Sequence, residues 1–247
     1  MERVLTPAAE LAVARQTRDL LHHYPPRKPG RYAAYAIDGG SNWTGIPQAL
    51  EAEVFGQTFG NSVCELEREY GRYDRPSLYL TIVDAERCYP AGVLRVIRQS
   101  PAGLKTLADV EAALGITEAQ VCAAHGVQDL HRVWDVGTLA VRRGSRGEDH
   151  VSVQLYAMLH MSCLLNGVEH VVTVLDDHAH ARLKMVGVPF APICGAEPFA
   201  YMGSAKSHAS IMRVSEAGPS VDRTLGDCWL AHLLARGDGM LPVTAVP

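Results

Sequence analysis

Residues 132–165, RVWDVGTLAVRRGSRGEDHVSVQLYAMLHMSCLL, read as a strand, a basic glycine-bearing turn and a helix, and the apolar run VEHVVTVL at 168–175 follows with strand character. Two strands joined through a helix in so short a span are expected to lie side by side and parallel, because a helical crossover is what returns the chain to run in the same direction. Val151, Leu155, Met158 and Leu159 recur at helical spacing and form the stripe that packs on the sheet. Past Arg132, strand 132–141 is apolar except for Asp135 and Thr138, and the turn after it, RRGSRG, gathers three arginines and two glycines. Both departures from a plain core strand and a plain polar turn ask for a chemical reason.

The flanking pattern is α/β. A helix is predicted over 7–22, broken by YPPRKPGR at 24–31. YAAYAI (32–37) is a strand, and IPQALEAEVFGQTF (46–59) places Ile46, Leu50, Val54 and Phe55 on one helical face. SLYLTIVD (77–84) and AGVLRVIRQ (91–99) read as an antiparallel hairpin. Thr106 with Asp109, and Thr117 with Gln120, have capping-box spacing for two short helices ending near His125. A helix opening at Asp176 or Asp177 should stop at Gly187, with Pro189 beyond, and strands near 198–203 and 208–214 close the sheet. One amphipathic helix is predicted over 221–236. The expected organisation is an N-terminal helical arm and linker over 1–31, an α/β domain over 32–214, and a C-terminal helical tail over 215–247.

Composition narrows the function. With 47% hydrophobic and 20% charged residues in 247, the chain can bury a full core, and a net charge of −4 offers no electrostatic footprint for nucleic acid. Neither a signal-peptide h-region nor a bilayer-length apolar run is present, so no membrane is expected and the cytoplasm is the expected compartment. The six cysteines are dispersed, without CxxC pairs, and read as reduced structural thiols. DDHAHARL (176–183) offers acids and histidines, but at a strand-to-helix junction Asp is an ordinary cap and His178 and His180 point to different sides, so no metal is expected. No GxGxxG, GKS/T or GxSxG motif occurs, which disfavours dinucleotide, P-loop and acyl-enzyme chemistry.

Four stretches in order carry a family resemblance: ALEAEVFGQTFG (49–60), EREYGRYDRPSLYLTIVD (67–84), GVLRVI (92–97) and WDVGTLAV (134–141). Over roughly residues 46–214 the chain resembles the GNAT acyltransferase superfamily, and within it the acyl-homoserine-lactone (autoinducer) synthases and N-acyl amino acid synthases. The resemblance implies a GNAT-like mixed, mostly antiparallel sheet flanked by helices. It sets Glu69, Tyr73 and Asp74 on the family's acidic motif, Arg95 on its G-x-x-R strand, and Asp135 in place of its strand glutamate. Three positions depart from the pattern: Glu51 and Thr138 stand where arginines are expected, and Gly71 replaces the middle acid. In autoinducer synthases the corresponding network surrounds the S-adenosylmethionine-derived substrate, so the acceptor here is expected to be an amino acid, S-adenosylmethionine or a similar amine.

Acyl transfer to an amine needs a neutral nitrogen, a positioned carbonyl and a group to take the proton. On the family pattern Asp135 and Asp74 are the catalytic candidates. Glu69, Tyr73, Arg95, Trp134 and Thr138 are the substrate-binding ones, with acids facing an ammonium and Arg95 a carboxylate. From the residues alone, Asp135 also reads as a strand-end residue paired to an arginine, Asp74 and Glu69 as an exposed acidic turn, and Trp134 as packing. Arg142, Arg143, Gly144, Arg146 and Gly147 would receive the phosphates of coenzyme A, because glycine lets the backbone approach and arginine supplies charge. Asp149 at the following helix start opposes a phosphate, which keeps an acyl carrier protein in play as the donor. The expected function is N-acyl transfer from a coenzyme A or carrier-protein thioester to a small-molecule amine. Two other classes stay open: an S-adenosylmethionine-using enzyme of the same fold that performs elimination or cyclisation without acyl transfer, and a non-catalytic ligand-binding module. Acyl length, acceptor and oligomeric state are left open by the residues.

Overall fold

A computed structural model of the chain describes residues 5–143 and 148–247. By packing, the chain divides into two units, residues 1–96, 138–158 and 240–247 in one and residues 97–137 and 159–239 in the other.

The first unit opens with α1 (Pro7–His23), where Thr6 caps the helix by accepting from Ala9 N and Pro7 takes a position needing no N–H. β1 (Tyr32–Asp38) pairs antiparallel with β2 (Ser77–Asp84) from Tyr32↔Asp84 to Asp38↔Leu78. β3 (Tyr89–Arg98) lies beside β2 as the second arm of the expected hairpin. Between β1 and β2 come α2 (Gly45–Phe59) and α3 (Val63–Tyr70). Leu20 of α1, Tyr35 and Ile37 of β1, Ile46 and Leu50 of α2, and Tyr79 of β2 share one core. Helix α6 (Glu148–Leu165) begins in this unit, and a Cβ on Gly92 of β3 would stand 2.4 Å from Val151 Cγ1 and 3.0 Å from Leu155 Cδ1. Glycine is what lets the Val151–Leu155 stripe reach the strand.

In the second unit, α4 (Lys105–Leu114) and α5 (Glu118–His125) precede the first part of β4 (Val133–Val141), whose residues from Thr138 onward belong to the first unit. The pair expected from the crossover is present: β4 runs parallel to β5 (His170–Asp176) from Val133↔His170 to Val136↔Thr173. At the end of that register the Thr173 hydroxyl donates to Val136 O at 2.9 Å. α7 (Asp177–Met185) starts at the Asp176 cap and stops before Gly187, whose φ of 81° suits glycine. β6 (Ala191–Pro192), β7 (Phe199–Tyr201) and β8 (Ser204–Arg213) follow, β8 pairing antiparallel with β5, β6 and β7. The α/β class with mostly antiparallel pairing is thus as expected. Among the described residues no helix is long and apolar enough to cross a membrane.

Four local expectations are corrected. The acidic segment before β2 is helical in its first half, because Ser62 and Glu65 form a capping box that starts α3. Thr106 opens no capping box: it sits inside α4, whose N-cap is Leu104, and its N–H is satisfied from β4. The single helix expected over 221–236 is instead α8 (Val214–Leu225), ended at Gly226 with φ 63°, then a short α9 (Trp229–Ala231) and one π turn over His232–Arg236. Beyond them the chain adds an unforeseen strand, β9 (Val243–Val246), parallel to β1.

Candidate active site

Arg95 carries a charge on a strand that is otherwise core. Only 3% exposed, its guanidinium would be costly to bury alone. It is answered from α2: Nε donates to Glu51 Oε1 at 3.0 Å and Nη2 to Glu51 Oε2 at 2.5 Å. Nη1 donates to Asp74 Oδ1 at 3.0 Å. The rings of Tyr70 and Tyr79 lie 4.9 and 4.8 Å from Arg95 Cζ, so the guanidinium is also faced by aromatic surface. Burial alone would lower its pKa, but the carboxylates of Glu51 and Asp74 outweigh that and hold it above the ordinary arginine value. The Thr138 hydroxyl, from the end of β4, donates to Glu51 Oε1. Glu51 is 4% exposed and both of its oxygens are occupied.

Asp74 is different. Its side chain is 40% exposed, and Oδ1 accepts from both Arg95 and the Tyr79 hydroxyl, the latter at 3.3 Å. Burial and the charge of Glu51 push Tyr79 above the ordinary phenol range, so it stays a donor, and it accepts in turn from Gln48 Nε2 at 3.1 Å. Asp74 Oδ2 receives no hydrogen bond among the described residues. The carboxylate is therefore fixed by one oxygen and open at the other. It lines a cleft of about 210 Å³ together with Gln48, Glu51, Glu67, Tyr70 and Arg95, all in the first unit.

The remaining sequence candidates fall elsewhere. Tyr73 is fully buried and its hydroxyl receives Arg72 Nη2 at 2.6 Å, while Glu69 pairs with Arg68 at 3.7 Å; neither lines the cleft. Trp134 is 4% exposed on β4, opposite Val171. Asp135 is fully buried in the second unit, and both its oxygens serve one residue: Oδ2 accepts from Thr106 N at 2.6 Å and Oδ1 from Thr106 Oγ1 at 2.8 Å. It thereby caps α4, where Leu104 offers no side-chain acceptor. Burial raises its pKa to about 7, although the Thr106 bonds pull the other way. Arg142 is committed to Glu53, Nε to Oε1 at 3.0 Å, and stacks on Tyr89 at 4.3 Å. Arg143 reaches Thr58 Oγ1 at 3.5 Å. Gly144, Arg146 and Gly147 lie outside the described residues.

Sequence reasoning missed Tyr70, Tyr79, Gln48 and Glu67.

Scans of the sequence against protein-family models and against curated proteins return no match. Solved structures do match. FeeM, an N-acyl amino acid synthase from uncultured soil microbes, superposes with a TM-score of 0.60 at 14% identity, covering 79% of this chain and 97% of that one. BjaI, a CoA-dependent acyl-homoserine lactone synthase solved with SAM and isopentyl-CoA, matches with a TM-score of 0.50 at 16% identity, covering 86% of this chain and 93% of that one. The fold is the GNAT-like one that the four sequence stretches imply.

Proposed function

We propose that the chain is an N-acyltransferase that moves an acyl group from a coenzyme A or carrier-protein thioester to the amine of a small acceptor seated at Asp74. The fold is compatible with that activity, since FeeM and BjaI are both acyl-transferring synthases. The observation that carries the proposal is the half-bound carboxylate: Arg95 and Tyr79 hold Oδ1 while Oδ2 accepts no hydrogen bond among the described residues, in a partly exposed side chain that lines the cleft.

An ammonium entering the cleft would hydrogen-bond Oδ2, which accepts a proton directly or through water. The freed nitrogen lone pair attacks the thioester carbonyl carbon. A C–N bond forms, the C–S bond breaks, and the thiol leaves with a proton. Arg95 prepares this step without touching the acceptor, because its two carboxylate partners and two ring faces fix the angle at which Asp74 presents its oxygen. In this reading Arg143, Gly144, Arg146 and Gly147 receive the donor's phosphates, since Arg142 is already held by Glu53. Asp135 supports the fold at α4 rather than meeting the acceptor.

The test is Asp74→Asn, assayed by thiol release from an acyl-coenzyme A series with candidate amines. Removal of a positioned proton acceptor should lower kcat by roughly 10²–10⁴-fold. The melting temperature should move little, since Asp74 is partly exposed. Retention of wild-type kcat by the variant would refute the assignment.

A further inference from the structure

The charges lining the cleft do not match a zwitterion. Glu51, Glu67 and Asp74 contribute three carboxylates against the single guanidinium of Arg95. That guanidinium is already spent: three of its N–H groups go to Glu51 and Asp74, and Tyr70 and Tyr79 lie against it. An acceptor's own carboxylate would meet no unpaired cation in the lining and would approach exposed Glu67, for which no ion pair exists among the described residues. The two carboxylates with capacity to spare are Asp74, through Oδ2, and exposed Glu67. A cleft of about 210 Å³ has room for a short aliphatic chain with a cationic group at each end.

We propose that this cleft, read as the acceptor site above, selects an amine bearing a second positive charge, of the short diamine class, with Asp74 taking the amine to be acylated and Glu67 the distal cation. The expected role of Arg95 as a receptor for an amino acid carboxylate is replaced by one of positioning.

Three four-carbon probes test it: butane-1,4-diamine, butylamine and 4-aminobutanoate, carrying two, one and no net positive charges at neutral pH. Isothermal titration of the wild-type protein at low salt should rank them in that order, with about tenfold between the diamine and the amino acid, and the advantage should shrink as salt is added. Glu67→Gln, a change at an exposed side chain, should weaken the diamine several-fold and butylamine hardly at all. Equal or tighter binding of 4-aminobutanoate, or no binding of the diamine at millimolar concentration, overturns the inference. A parallel acylation assay with acyl-coenzyme A separates the two claims: the binding order without thiol release sinks acyl transfer and leaves the cation selectivity standing, whereas thiol release with a preference for 4-aminobutanoate does the reverse.

Discussion

Glu51→Ala tests whether the buried ion pair is the structural root of the site. The substitution strips Arg95 of two of its three carboxylate contacts and leaves the Thr138 hydroxyl without its acceptor, while the guanidinium stays at 3% exposure. Removing one partner of a buried pair costs about 3–5 kcal/mol, because the stranded charge keeps its desolvation penalty. Asp74 remains as a partner but is partly exposed, which puts the expected loss toward the lower half of that range. Against a urea m-value of roughly 3 kcal/mol/M, the unfolding midpoint should fall by about 1 M. The companion variant Glu51→Ala/Arg95→Ala removes the stranded charge, so its loss should be smaller than the sum of the two single losses by about 2 kcal/mol. Urea unfolding followed by near-ultraviolet circular dichroism measures the wild type, both single variants and the double variant. A Glu51→Ala loss below about 1 kcal/mol, or strict additivity in the cycle, would refute the argument that Glu51 exists to neutralise Arg95.

Two further predictions address the frame around the site. Asp135 has a folded pKa raised to about 7 from the ordinary aspartate value of 3.8, so between those values the folded state binds a proton that the unfolded state has lost; stability should fall as pH rises from 4 to 7, and Asp135→Asn should flatten that slope in melting temperatures recorded across the range. Gly92→Ala should cost about 1–3 kcal/mol by pressing a methyl into Val151, and Val151→Ala in the same chain should restore part of the loss in thermal unfolding.

What the sequence determined by itself is what short-range physics governs. The β4–α6–β5 crossover follows from an apolar strand, a striped helix and a second strand within 44 residues, and the two strands do pair in parallel. Thr117 and Gln120 form the capping box their spacing announced, and Gly187 takes the left-handed position that ends α7. Asp74, Arg95 and Thr138 drew notice in the sequence because a polar residue in or beside an apolar strand stands out against its neighbours. Their partners were not. Glu51 reaches Arg95 across 44 residues and Thr138 across 87, and nothing within α2 marks that glutamate as buried. Asp135 announced a chemical role, yet it spends both oxygens on a helix start 29 residues earlier, where Leu104 could not cap. β9 is four residues long, too short to carry a period, and becomes a strand only because the edge of β1 is there to receive it. The same holds for charge. The sequence displays Glu67, Asp74 and Arg95 as three ions of unstated allegiance, and only the packing of α2, α3, β2 and β3 decides that the arginine is neutralised internally while Glu67 and one oxygen of Asp74 are left without a partner among the described residues. A side chain's charge is set by its covalent structure, but its availability to a ligand depends on which distant groups the fold has already paired with it.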